Sequence, residues 1–474
     1  MIRRLIAFAA AAALTLSPTA ALAQDFPAQM PAAGTPKAFT VPTSETYTLP
    51  NGMQVTLIPY GNVPKASVSL RTYAGNLNEG DDVWLADLTG QMLKEGAGGR
   101  TGGEIAKAAA AMGGGLGTGV GVHETFVGLG VLSEFAPEAI RLVSDVALRP
   151  TFPASELERV RDGLLRNLAV AKSQPQPIAD AVLASAYYGD EHPYGRIFPT
   201  EAQVKGYTLD DVRRFHAQEF GAKRSRLYVA GQFDTAAVKA AIEQAFGGWQ
   251  AGPERLSLPP SPQPGPKLLL VDRPNAPQST IRIAFPAPAA GAPEDLRFRV
   301  TNALLGGAFN SRITTNIREQ KGYTYSPFSS VNWNPGEALW TFDADVTTDV
   351  TGPALKEVLG EIRRLQTEPP TAEEAAGMRT YLAGIFVLQN ASPNGLIGSL
   401  ANRDFHGLPA DWLERFVPGV LAVQAGDMQA IARQQFPLDK ATIVVVGDLD
   451  KVEPQLKAMP ELQNTTLQRA NPIE

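Results

Sequence analysis

Residues 211–234, DVRRFHAQEFGAKRSRLYVAGQFD, return 216 positions later as residues 427–450, DMQAIARQQFPLDKATIVVVGDLD. Asp211, Gln218 and Phe220 match Asp427, Gln434 and Phe436, and Val229, Gly231 and Asp234 match Val445, Gly447 and Asp450. Both copies read as a helix running into an apolar strand, 209–220 into 226–230 in the first. A second echo sets Pro153-x-x-Glu156 against Pro370-x-x-Glu373. Two copies at this spacing exclude a solenoid, whose period is far shorter. The repeat predicts two homologous halves of about 200 residues, each the size of an ordinary domain.

Working outward, each half mixes the periods of strand and helix. Residues 46–60 read as a strand opened by the turn Pro50-Asn51-Gly52, with Met53, Val55 and Leu57 alternating with polar neighbours. Val68 and Leu70 then alternate with Ser67, Ser69 and Arg71. Residues 81–94 read as a helix with an aspartate cap, Trp84, Leu85, Leu88 and Met92 on one face, and Gly96 at its end. Further helices are expected at 103–112, 136–147 and 154–172. In the second half, 268–271 and the alternation Ile281, Ile283, Phe285 restart the strand pattern. Between the halves, six prolines in residues 253–266 predict a stiff, extended linker. The fold class is therefore α+β: two homologous halves, each a mainly antiparallel sheet with helices packed on one face. The expected map is 1–23 signal peptide, 24–45 extension, 46–250 first half, 251–266 linker, 267–460 second half and 461–474 C-terminal tail.

The first 23 residues read as an address. Met1-Ile-Arg-Arg is positive, 5–16 is an apolar run, and Ala21-Leu22-Ala23 supplies the small-x-small cleavage pattern before Gln24. Twelve apolar residues are too few for a bilayer that needs about twenty. The mature chain is expected to be secreted, in a bacterial periplasm. Its net charge, −6 for the whole chain and −8 once Arg3 and Arg4 are removed, offers no basic footprint for nucleic acid. There is no cysteine, which excludes disulfides, thiolate metal sites and cysteine nucleophiles. No Gly-x-Ser-x-Gly elbow occurs. The glycine-rich stretch 113–121 lacks the end of a phosphate loop and reads as a tight turn before a strand.

One stretch carries a resemblance: Leu304-Leu-Gly-Gly-Ala-Phe-Asn-Ser-Arg-Ile-Thr-Thr-Asn-Ile-Arg-Glu-Gln-Lys-Gly-Tyr-Thr-Tyr325. With Gly113-Gly-Gly115, Glu191-His-Pro-Tyr-Gly195 and Ala230-Gly-Gln-Phe-Asp234, it resembles the pitrilysin/insulinase family of zinc metallopeptidases, in its short two-half form. The resemblance runs from Leu49-Pro-Asn-Gly52 to Gly447-Asp-Leu-Asp450 and implies two halves facing each other like a clam shell.

Family enzymes bind zinc with an inverted H-x-x-E-H helix, whose two imidazoles and a distant carboxylate leave one coordination position for water. Here Asp87 stands at the first histidine position, Gly90 at the glutamate and Gln91 at the second histidine, while the distant carboxylate falls near Arg166-Asn167. The four histidines, His123, His192, His216 and His406, are too scattered to supply another such pair. No metal is expected on this chain.

The second half keeps what the first has lost. Asn310-Ser311 reads as a helix cap, Ile313 and Ile317 as its buried face, Lys321-Gly322 as its end, and Tyr323-Thr-Tyr325 as the start of a strand. Arg318 and Tyr325 have the seven-residue spacing of the pair with which active relatives hold substrate. Both donate hydrogen bonds, which suits the negative charge that develops on a peptide carbonyl oxygen under attack by water. An arginine near a helix C-terminus and a strand tyrosine are also ordinary structural choices, and Tyr323, expected on the same strand face, competes with Tyr325 for the role.

The resemblance therefore implies the non-zinc subunit of a secreted heteromeric zinc peptidase. It would pair with a homologous chain carrying H-x-x-E-H and its zinc, and would act on an oligopeptide or unfolded peptide bound in part along a sheet edge. The alternative is an inert peptide-binding or structural scaffold of the same descent, which would need neither Arg318 nor Tyr325.

Overall fold

The structure, a computed structural model, describes residues 39–463 and 465–470; the expected signal peptide and most of the expected extension lie outside the described residues. Two six-stranded sheets organise them. The first holds β1 (Glu45–Thr48), β2 (Gln54–Pro59), β3 (Lys65–Thr72), β4 (Gly117–Val120), β5 (Thr125–Leu132) and β6 (Ser225–Gly231), in the order β1-β2-β6-β3-β5-β4. The second holds β7 (Lys267–Asp272), β8 (Gln278–Ala287), β9 (Phe328–Asn334), β10 (Glu337–Thr347), β11 (Thr442–Gly447) and β12 (Thr466–Arg469), in the order β12-β7-β11-β8-β10-β9. The two orders match strand for strand. A parallel pair, β2–β6 or β7–β11, is followed by antiparallel neighbours throughout. Only the outermost strands differ, since β1 runs antiparallel to β2 whereas β12 runs parallel to β7. Residues expected as a C-terminal tail thus supply an edge strand.

The repeated segment explains why its strands are apolar without interruption. Successive side chains of a strand point to opposite faces. On β6, Leu227 and Val229 enter the core of the first half, while Tyr228 and Ala230 join a core shared with the second. On β11, at the same offset of 216, Ile443 and Val445 point into the second half's core, and Val444 and Val446 pack on Ile178, Val182 and Leu183 of the first half. A strand buried on both faces reads as a continuous hydrophobic run rather than an alternation.

The expected helix layer is present on one face of each sheet, and the second face is covered as well. Each sheet carries its own helices on one side, with α2 (Ala136–Leu148) on β3 and β5 and α4 (Thr235–Phe246) packed beside it, and α5 (Thr351–Thr367) on β10. On the other side lies a helix from the opposite half. α3 (Pro175–Tyr188) packs across β8 and β11, and α6 (Pro393–Phe405) across β3 and β6. This exchange of helices makes a seam of the kind that forms a single core, and β8 shows its effect: the alternation read at Ile281, Ile283 and Phe285 coexists with a buried Arg282 between them. The proline-rich linker is strapped to the seam. Arg255 donates to the Phe405 carbonyl at 2.8 Å with its guanidinium over the rings of Phe405 and Tyr73, and Gln263 N–H donates to the Tyr187 carbonyl at 2.7 Å.

Candidate functional site

The helix at the zinc-motif position, α1 (Leu85–Met92), starts later than its sequence pattern suggests. Trp84 adopts a left-handed conformation with φ of 70°, which breaks the helix at its entrance. The cap is Glu79, not Asp81: its carboxylate accepts the Trp84 and Ala86 N–H groups, each at 3.0 Å. Asp81 instead pairs with Arg196. A carboxylate at a helix N-terminus satisfies free N–H groups and meets the positive end of the dipole. Burial nevertheless dominates for Glu79 and pushes its pKa up to about 7.

Asp87 accepts a hydrogen bond from Asn76 Nδ2 at 2.7 Å, and burial raises its carboxyl above the usual range. Gly90 is buried, and a Cβ there would meet Val120 Cγ2 at 2.3 Å. Gln91 is half-buried, while Arg166 and Asn167 are exposed on the helix Ala154–Ser173. These residues do not fit zinc. One carboxylate on a helix is not a coordination set, the position of the base is filled by a valine methyl, and among the described residues no three histidine or acidic side chains converge as metal ligands.

Asp87 opens instead onto a cavity of about 1020 Å³ between the two halves. Its far wall is the edge strand β9, of which Ser330–Asn334 line it, together with Arg282 and Asp343. His123, on the turn before β5, bridges the halves: its Nε2 lies 3.1 Å from Asn334 Oδ1 and 3.3 Å from the Tyr194 hydroxyl. Burial lowers its pKa, and burial with Arg255 nearby brings His406 down to about 4. Arg282 Nε sits 2.6 Å from Asp180 and 2.8 Å from Asp343, tying α3 to the second sheet. Asp343 is raised to about 6, burial outweighing the arginine. Polar groups such as Thr341, which donates to Asp343 at 3.4 Å, share the cavity wall with apolar side chains such as Val331 and Leu339.

Arg318 and Tyr325 lie elsewhere, and neither lines this cavity. Ile313 and Ile317 are fully buried as expected, and Gly322 ends the helix with φ of 67°. The helical segment itself is unusual: Thr314–Gln320 is π-helical, a wider winding that is rare and concentrates at functional sites. Tyr325 does not start a strand. β9 begins only at Phe328, and the preceding loop is held by a bridge from Thr324 to Val346 and by the Thr324 hydroxyl, which donates to the Asp345 carbonyl at 2.7 Å. Without strand alternation, Tyr323 and Tyr325 have different surroundings: Tyr323 packs against the core, whereas Tyr325 is 79% exposed. The chain thereby brings the predicted pair together, with the Arg318 guanidinium 5.0 Å from the Tyr325 ring. Sequence reading missed Phe309, whose ring lies 4.5 Å from the same guanidinium. The signal available for it was an aromatic residue in the glycine-flanked loop ahead of the helix.

Residues 55–199 match the family model described as insulinase, peptidase family M16, and residues 206–382 match that of the peptidase M16 inactive domain. The chain belongs to peptidase family M16. An uncharacterised zinc protease of Mycobacterium bovis is 29% identical over 294 residues, 60% of this chain and 66% of that protein, so the match spans just under two thirds of the relative. Among solved structures, a peptidase M16 inactive domain from Pseudomonas fluorescens superposes with a TM-score of 0.78 at 24% identity, covering 85% of this chain and 98% of that one. A protease from Helicobacter pylori gives the same TM-score at 17% identity, covering 85% and 99%. This M16 chain thus has the two-half fold of its family.

Proposed function

We propose that this chain is the non-zinc subunit of a secreted heteromeric M16 peptidase. In this reading it lends Arg318 and Tyr325 to a zinc site carried by a homologous partner with H-x-x-E-H. The observation that carries the reading is a contrast within one molecule. The Asp87–Gly90–Gln91 helix has no ligand set and no room for the base, while Arg318 and Tyr325 stay side by side on the surface. Tyr325 is 79% exposed and Arg318 half-buried beside it, so the pair borders solvent where a partner chain could reach it. Their donors would take the substrate carbonyl oxygen as it gains charge, a contribution whose loss typically costs about a hundred- to thousandfold in rate. The exposed edge of β9, starting three residues after Tyr325, suits addition of an extended oligopeptide through main-chain hydrogen bonds. Secretion rests on the N-terminal pattern of residues 1–23.

The test is complementation. The purified mature chain, a zinc-loaded homologue from the same source carrying H-x-x-E-H, and a quenched fluorescent peptide are assayed separately and mixed. Cleavage by the mixture, with at most traces from either chain alone, supports the reading. Full activity of the homologue alone, unchanged by this chain, supports the inert scaffold.

A further inference from the structure

The exposed surface around Arg318 contains one residue whose placement is costly without a purpose. Phe309 leaves 72% of its surface to water, although a phenyl ring is among the most favourable side chains to bury. It sits between two π-helical turns, Ala303–Gly307 and Thr314–Gln320. Its ring lies 4.5 Å from the Arg318 guanidinium, and the Tyr325 ring lies 5.0 Å from it. Arg318 is in consequence only 23% exposed, though both rings beside it face solvent. Its Nε lies 3.2 Å from Glu319.

We infer that Phe309 is a positioning residue for Arg318, an inference that rests on the role proposed for Arg318 above. A free arginine side chain spreads over many rotamers, and ordering it at the moment of substrate binding is costly in entropy. A ring over the guanidinium face restricts the plane through a cation–π contact and leaves the N–H edge free. With Nε held by Glu319, that edge is the Nη pair, the part suited to a carbonyl oxygen. Tyr325 is then both a second ring against the guanidinium and a donor in its own right. Phe309 contributes no hydrogen bond and does no chemistry. It holds the donor where the charge develops.

Two measurements separate this role from the reading beneath it. In the chain alone, the rate at which phenylglyoxal modifies Arg318 is mapped by peptide mass spectrometry. Phe309→Ala should raise it about two- to fivefold, the size of a cation–π contact at an exposed site, and Phe309→Trp should restore it. In the complementing mixture, Phe309→Ala should lower kcat by a similar factor with KM nearly unchanged, and Phe309→Trp should recover it, melting temperature and complex assembly being equal. Unchanged Arg318 reactivity in Phe309→Ala overturns the inference, as does an effect confined to KM. If Arg318→Ala itself leaves the mixture's rate intact, it is the role of Arg318 that fails, whatever the reactivity measurement shows.

Discussion

Val120 occupies the space that a side chain on Gly90 would need: a Cβ there would come within 2.3 Å of Val120 Cγ2. The contact joins α1 to the edge strand β4, so any side chain placed at position 90 requires the helix, the strand or Val120 to move. Gly90→Ala should destabilise the fold by about 1–3 kcal/mol, the range for overpacking against a stiff β-branched side chain. Val120→Ala should relieve most of that cost. A double-mutant cycle by urea unfolding measures the coupling. Strict additivity would show that the helix simply shifts.

The same clash governs any attempt to rebuild the site. The triple variant Asp87→His, Gly90→Glu, Gln91→His should melt several degrees below the parent, consistent with a penalty of about 1–3 kcal/mol. It should retain zinc poorly after desalting, because the third ligand position near Arg166 and Asn167 still offers no carboxylate. Stoichiometric zinc by elemental analysis would contradict this account of the helix.

Glu79 predicts a pH dependence of known sign. Its folded pKa, about 7, lies above the ordinary 4.5 because burial outweighs its hydrogen bonds. Between those values the folded chain holds a proton that the unfolded chain has released, so this group's contribution to stability falls as pH rises from 5 to 8. Glu79→Gln removes the titration. The stability of the parent relative to the variant should therefore drop by about 1–3 kcal/mol over that interval. His406, with its folded pKa near 4, contributes the opposite slope below pH 6.5, but it is present in both proteins and cancels. Parallel unfolding curves across pH would refute the assignment.

Arg282 is a charged fastener of the seam, 6% exposed and shared by Asp180 of the first half and Asp343 of the second. Removing the arginine leaves Asp180 and the half-buried Asp343 side by side without compensation, at a typical cost of about 1–3 kcal/mol. Arg282→Met should approach that loss at pH 8. At pH 5 the loss should be smaller, because Asp343, already raised to about 6, then takes up a proton. Chemical denaturation at the two pH values checks it.

Much of the fold was legible because the repeat at 211–234 and 427–450 lies on the central strand of each sheet, where burial on both faces leaves little choice of residue. The exchanged helices α3 and α6 were not legible. Which sheet a helix covers is a tertiary choice that periodicity within the helix does not encode. At the site, the spacing of Arg318 and Tyr325 was readable, but the strand expected at Tyr323 was not formed, since the loop's packing of Tyr323 overrides a strand-prone composition. Glu79 was missed because it caps from five residues before the broken entrance at Trp84, outside the usual capping window. Phe309 was missed because a contact between a loop and a π-helical turn leaves no periodic trace.

The central claim, that this chain supplies the carbonyl-binding donors to a zinc site it does not itself contain, is tested most directly by the rate of peptide cleavage in the mixed complex with Arg318→Ala. The account predicts a fall in kcat of about a hundred- to thousandfold, with the complex intact by size-exclusion chromatography and zinc content unaltered. A rate equal to that of the parent mixture would contradict it and leave the chain a scaffold.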